Sequence, residues 1–366
     1  MKKHFLGMLG VCVLAASAYA DTVTVKDSAP ERYTVKKGDT LWDISSRYLK
    51  DPWRWPEIWE ANQQIANPHL IFPGDVLVLC HIHGQTVLAK DTGGGCAEVE
   101  ERVAGIQPSV TKETGGDYKL HPQIRSQDLS VAIPAIPLQA IRRYLNDSRV
   151  VKLDELEKAP YVVSGSDNHI VAGAGDRVYV RGKSLEEGGT YGVYRAGVRY
   201  TDPETQQVLG YEAMAVGVGK ISALNGGVGS FDITRTIEQE VRIEDKLLTL
   251  EERVVPSVFQ PHNPAGVRPG RIIRVFGSIE SAANNSVIVI NRGAMDGVRQ
   301  GDTFALYEHG KTIVDRVSNE PVKLPSEREG LAMVFRTFDK VSYALVLRGT
   351  GVIKVGDEIR PPVSGD

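Results

Sequence analysis

Hydrophobic positions along the chain fall into three regimes. The first is a continuous apolar run over residues 5–16. Lys2, Lys3 and His4 precede it and Ala18-Tyr19-Ala20 follows. A charged start, a short apolar stretch and small residues at an A-x-A site predict an export signal over 1–20, with Asp21 as the mature N-terminus. The run is too short for an ordinary spanning helix. No later stretch approaches spanning length, so the processed chain is expected to carry no transmembrane segment. The second regime covers residues 33–79. Tyr33-Thr34-Val35 reads as a strand and Gly38-Asp39-Thr40 as a turn whose Asp39 or Thr40 caps a helix. Leu41, Ile44 and Tyr48 give that helix one apolar face. Trp55-Pro56 opens a second helix, with Ile58, Trp59 and Ala61 inward. Phe72-Pro73-Gly74-Asp75 makes a turn before a closing strand over 76–79.

The third regime begins near residue 121. One helix is expected over 137–145, with Leu138, Ile141 and Leu145 as its stripe. Beyond Tyr161 short alternating or β-branched runs recur at 176–180, 190–194, 214–221, 272–276, 286–290, 303–307, 332–336 and 344–347. Gly, Asn and Asp clusters separate them, as in a small barrel or sandwich. A faint repeat is visible. Arg177-Val178-Tyr179-Val180-Arg181-Gly182, a Gly-rich turn and Thr190-Tyr191-Gly192-Val193-Tyr194 correspond to Val287-Ile288-Val289-Ile290-Asn291-Arg292-Gly293, Gly297, Gly301 and Thr303-Phe304-Ala305-Leu306-Tyr307. Each copy later reaches an Ala-Met pair, Ala213-Met214 and Ala332-Met333. The offset drifts between about 110 and 120 residues, so duplication competes with the general similarity of β-hairpins. The fold class expected is α+β: a small βααβ module, then a mostly β C-terminal region. The division expected is 1–20 signal, 33–79 module, 80–120 linker with Gly93-Gly94-Gly95, 121–260 a first domain that is α+β or β-rich, and 266–366 a second, β-rich one.

The 366 residues are 42% hydrophobic and 24% charged, which fits a folded chain and excludes a fully disordered one. The formal charge is −3; losing Lys2 and Lys3 makes it about −5. Such a balance argues against a nucleic-acid binder. Export also removes Cys12, leaving Cys80 and Cys96. An oxidising compartment permits one disulfide between them, closing a loop of about 15 residues worth roughly 3 kcal/mol; two free thiols are the alternative.

The ordered blocks Tyr33-Thr34-Val35-Lys36-Lys37-Gly38-Asp39-Thr40-Leu41-Trp42-Asp43-Ile44-Ser45, Ile58-Trp59-Glu60-Ala61-Asn62 and Asn67-Pro68-His69-Leu70-Ile71-Phe72-Pro73-Gly74-Asp75-Val76-Leu77 resemble the LysM domain, a peptidoglycan- and chitin-binding module. Residues 49–55 depart from the pattern by adding Trp53 and Trp55. The resemblance implies a shallow groove for N-acetylglucosamine-type glycan strands, GlcNAc and MurNAc. Its first wall is Gly38, Asp39, Thr40 and Leu41. Its second is Asn67, Leu70, Ile71, Pro73 and Gly74. Backbone groups near Gly38 suit acetamides, and Leu70 and Ile71 offer apolar contact. Leu41 and Leu70 also read as core, and Gly38 and Gly74 as turn formers. Trp42 reads as core; Trp53 and Trp55 read either as stacking platforms or as packing against the helices. Exchanging Asp39, Thr40 and Ile71 together is expected to abolish glycan binding with the fold intact.

Catalytic constellations are not evident. His69, His81, His83, His121, His169, His262 and His309 form no H-x-x-x-H or H-E-x-x-H pattern, and no G-x-S-x-G turn occurs. Cys80-His81-Ile82-His83 with Cys96 has the look of metal ligands, but alternation puts both histidines on one strand edge facing solvent. The expectation is no enzyme, no cofactor and no metal. The layout of signal, LysM, linker and β-rich half resembles the type IV pilus secretin-associated protein family, whose C-terminal part is similar to that of the flagellar T-ring protein. Pro160-Tyr161-Val162-Val163, Gly175-Asp176-Arg177-Val178-Tyr179-Val180-Arg181-Gly182 and Asn291-Arg292-Gly293-Ala294-Met295-Asp296-Gly297-Val298-Arg299-Gln300-Gly301-Asp302 carry that resemblance. It implies a periplasmic protein anchoring an outer-membrane secretin ring to peptidoglycan. A LysM-targeted cell-wall hydrolase, a hydrolase activator and a general envelope scaffold are the alternatives.

Overall fold

A computed structural model describes residues 23–59, 71–104, 136–146, 148–166, 169–250, 259–264, 266–278, 281–310 and 312–363. The proposed signal segment lies outside them.

The N-terminal module comprises β1 (Arg32–Thr34), α1 (Leu41–Tyr48), α2 (Trp55–Trp59), β2 (Val76–Ile82), β3 (Gln85–Lys90) and α3 (Gly95–Ala104). A 3-10 turn over Pro52–Arg54 joins the first two helices. The sheet order is β1-β2-β3, with Tyr33 opposite Leu77. Thr40 caps α1: its Oγ1 accepts from Asp43 N–H at 3.1 Å, and the Asp43 carboxylate accepts from Thr40 N–H at 3.2 Å. Val35, Leu41, Ile44, Tyr48, Leu49, Trp55, Ile58, Trp59, Ile71, Leu77 and Leu88 form one core.

The segment expected to start the linker is folded from residue 80 to residue 104. His83 and Gly84 both take positive φ, which closes a two-residue hairpin between β2 and β3. The face of that hairpin turned away from the first core buries Val78, Cys80, Ile82, Val87 and Ala89 with Val99 of α3. Cys80 and Cys96 are disulfide-bonded, with Cα atoms 5.5 Å apart. Both sulfurs are thereby withdrawn from any metal.

The predicted helix after the linker is present as α4 (Leu138–Asn146). It leads into β4 (Ser148–Val151) and α5 (Leu153–Lys158). Eight strands follow: β5 (Tyr161–Gly165), β6 (Val171–Ala172), β7 (Arg177–Arg181), β8 (Thr190–Thr201), β9 (Val208–Asn225), β10 (Val228–Thr236), β11 (Val241–Arg242) and β12 (Lys246–Thr249). The order is β10-β7-β5-β12-β8-β9, and β9 pairs back onto β10, so six strands close on themselves. Strand β4 is added to β9.

The last unit has β13 (Gly270–Val275), β14 (Ser281–Ala282), β15 (Val287–Ile290), β16 (Thr303–Tyr307), β17 (Thr312–Val314), β18 (Pro321–Lys323), β19 (Arg328–Thr337), β20 (Ser342–Gly349), β21 (Ile353–Lys354) and β22 (Glu358–Arg360). It is a closed barrel in the order β13-β15-β20-β19-β16-β22. Matching β5 to β12 onto β13 to β16 and β19 to β22 reproduces every ladder of the first closed sheet, including the separate pair β6–β11 as β14–β21. The repeat is therefore a duplicated barrel, and the sandwich alternative is excluded. Hairpin β17–β18 is an insertion in the second copy, where the first copy turns directly from β8 into β9.

Small barrels leave no lumen, and these are filled by their own side chains. The outer face of the second barrel is also apolar. Phe304 and Leu306 point inward, yet Thr303, Ala305 and Tyr307 are buried too. Two neighbours cover that outer face. Ile136, Ile141, Tyr200 and Phe259 pack on Val287, Val289, Met333, Phe335, Tyr343 and Leu345. Across the same seam Asn291 Nδ2 donates to Asp202 at 2.8 Å, and Arg274 pairs with the buried Glu212 at 2.6 Å. The second neighbour is the N-terminal module: Trp42 and Trp53 lie against Ala305, Tyr307 and Leu331, with Leu347 alongside. No helix among the described residues is long and apolar enough to cross a membrane.

Candidate glycan-binding cleft

Two reverse turns of one design form the candidate site. In the first, Asp39 N–H donates to Lys36 O at 3.2 Å, and Lys36 N–H donates to Asp39 Oδ2 at 2.8 Å. In the second, Asp75 N–H donates to Phe72 O at 3.0 Å, and Phe72 N–H donates to Asp75 Oδ2 at 2.9 Å. Gly38 and Gly74 sit at φ 96° and 98°, the left-handed region that such turns demand at their third position. Nothing lies within 4 Å of where a side chain would start at either glycine, so both backbones are open to an approaching molecule.

The turns are tied edge to edge. Val35 N–H donates to Asp75 O and Gly74 N–H donates to Val35 O, both at 2.8 Å. That places Gly38 and Gly74 on adjoining rims, as a groove between the first strand–helix turn and the last helix–strand turn requires.

The other nominated residues divide sharply. Asp39 is half-buried; its carboxylate accepts from the Tyr33 hydroxyl at 2.8 Å and holds its own turn. Pro73 is half-buried and Gly74 exposed beside it. Thr40 is 6% exposed and occupied as the helix cap, and Leu41 and Ile71 are 2% and 0% exposed within the core. Leu41 and Ile71 thus support the walls from beneath instead of offering apolar contact. Asn67 and Leu70 lie outside the described residues. The combined exchange of Asp39, Thr40 and Ile71 cannot leave the fold intact, because it removes a turn anchor, a helix cap and a core side chain at once.

Neither added tryptophan is a platform. Trp55 is 3% exposed in the module's core, and Trp53 is 6% exposed against the second barrel. The residue that pattern reading passed over is Tyr33. Its hydroxyl fixes Asp39, and its ring lies beneath the Arg47 guanidinium, 5.1 Å from centroid. Burial, then the bond to Asp39, raises its pKa above the ordinary tyrosine value, so it stays a neutral donor. An aromatic two positions before Val35 on an edge strand was the available signal.

Comparison with known proteins settles what this module is. The LysM domain model matches residues 33–79. Residues 33–79 are a LysM domain. A 60-residue stretch of the chain is 45% identical to a protein of Bacillus subtilis (strain 168) described as "Uncharacterized protein YqbP", over 14% of this chain and 27% of that one. The chain thus spans about a quarter of that relative's length. A LysM domain carries binding of peptidoglycan and related carbohydrates, and this LysM domain presents its two glycine turns on one open rim.

Proposed function

We propose that this is a non-enzymatic periplasmic protein that holds an outer-membrane assembly, the type IV pilus secretin ring, to peptidoglycan through its LysM domain. The observation that carries the reading is the pair of backbone bonds joining Val35 to Gly74 and Asp75, which builds one cleft from two distant turns. A cleft of exposed backbone with few side chains suits a repeating, weakly held polymer. Many copies in a ring would convert modest single-site affinity into firm attachment by effective concentration. The duplicated barrels supply a stiff body, and hairpin β17–β18 offers exposed strand edges, with Val314 60% exposed at the end of β17 and Val317 96% exposed in the turn. Strand addition to such an edge is a common mode of partner recognition.

The test uses the processed protein and isolated sacculi. Co-sedimentation without release of soluble muropeptides is the expected result; released fragments would make the protein a hydrolase or an activator of one. Negative charge placed on each rim, Lys37→Glu with Pro73→Glu, leaves core and caps untouched and should cut sedimentation at least tenfold, because the polymer is acidic. In envelope extracts, crosslinking should recover the secretin. Consistent recovery of other envelope proteins without it would leave a general scaffold.

A further inference from the structure

The stretch ahead of the LysM domain packs on it. Val25 bridges Leu49, Lys26 N–H donates to Tyr48 O at 2.8 Å, and Lys50 N–H donates to Thr24 O at 3.0 Å. This strap and helix α1 flank a shallow, solvent-open depression lined by Lys26, Ser28, Pro30, Tyr33, Ser46 and Arg47. Two cations and two hydroxyl-bearing serines line it, and none of its lining residues is a carboxylate. The Lys26 ammonium donates to Ser46 O, and Arg47 lies over the Tyr33 ring. Neither cation has an ion pair among the described residues. Burial, and then the nearby Arg348 of the second barrel, lower the pKa of Lys26. Like charges are thus gathered here, and the carboxylates that reach Tyr33, those of Asp39 and Asp43, belong to the first turn and the start of α1 and not to the lining.

Tyr33 belongs to this depression and to the cleft. Its ring lines the depression, while its hydroxyl holds Asp39 in the first turn. The two sites are therefore separated by no more than one tyrosine side chain.

We propose that the Lys26–Arg47 depression is a carboxylate-binding subsite, taking a stem-peptide carboxylate of the same polymer whose sugars lie in the cleft. An arginine fork and an ammonium with adjacent hydroxyls form the donor set a carboxylate requires. The subsite rests on the glycan reading of the cleft and adds a preference to it. A neutral chitin chain fills only the cleft, whereas murein fills both. An acidic protein segment offers the same group, but only murein brings it tethered to a sugar chain one side chain away.

The test measures affinity of the full processed protein for three probes of equal sugar number: a chitin oligosaccharide, a muropeptide oligosaccharide with free carboxylates, and that muropeptide with its carboxylates amidated. The free-acid probe should bind about tenfold tighter than the amidated one at low salt, and added salt should shrink the ratio. The variant Lys26→Gln/Arg47→Gln should bring the ratio to one and leave chitin affinity unchanged. Should the double variant not fold, Arg47→Gln alone, at an exposed position, carries the comparison. A ratio of one in the wild type, or a ratio that survives in the variant, overturns the subsite and leaves the cleft standing. Failure of every probe to bind overturns both. Equal binding of a sugar-free acidic peptide would assign the depression to a protein partner instead.

Discussion

One turn recurs through the whole molecule at the level of single residues. Its aspartate accepts the N–H three residues back, its own N–H returns to that residue's carbonyl, and the residue before it has positive φ. Besides the two turns of the cleft, it occurs at Asp176, Asp245, Asp302 and Asp357. Gly175, Gly301 and Gly356 take the strained position in three of these, but Glu244 takes it in the fourth, at φ 74°. A side chain there costs about 1 kcal/mol. Glu244→Gly is expected to raise stability by up to about 1 kcal/mol, and Gly356→Ala, its counterpart in the second copy, to lower it by a similar amount. Chemical denaturation of the two variants against wild type checks both signs. The Gly-Asp pairs were legible as turns in the sequence. Glu244 was not, because backbone geometry imposed by the repeat overrides the letters that usually announce it.

Among elements, eight of the twelve strands that close the barrels were legible from alternation and β-branching, whereas β5, β10, β12 and β22 were not marked as runs. The helix at 138–146 was legible from its stripe. What misled was Gly93-Gly94-Gly95, whose composition reads as linker. Here those glycines lead into helix α3, which starts at Gly95: Asp91 accepts from Gly93 and Gly95 N–H at 2.9 Å, and the Glu98 carboxylate accepts from Gly94 N–H at 3.0 Å. Composition reports conformational freedom and says nothing of the partners that remove it. Helix α3 is then fastened by the disulfide, whose removal should cost about 3 kcal/mol by the loop it closes. Heating the protein with and without a reductant should show that loss as a lower midpoint of the shared transition, although the barrels themselves hold no cysteine. An unchanged transition under full reduction would mean that burial of Val99 alone holds the helix.

For the whole molecule, the 49–55 segment proved the most informative departure from the family pattern. Two extra indoles beside a glycan groove read either as stacking platforms or as packing against the helices, since pattern alone cannot distinguish a surface meant for ligand from one meant for another part of the chain. Trp53 instead joins Trp42 on the second barrel. Leu331 receives them from the outward side of its strand, where a polar group leaves the barrel interior untouched. Leu331→Asp is therefore expected to split one calorimetric transition into two, with the LysM domain melting first and by several degrees, because burying a charge against indoles is costly. A single, unshifted transition would show that the contact contributes nothing. The docking also decides how the molecule meets a pull. Tension along a captured murein strand reaches the second barrel through interlocked rings without first uncoiling the chain between them. The molecule would respond as a stiff bracket instead of a spring, and its give would be set by how tightly two tryptophans are seated.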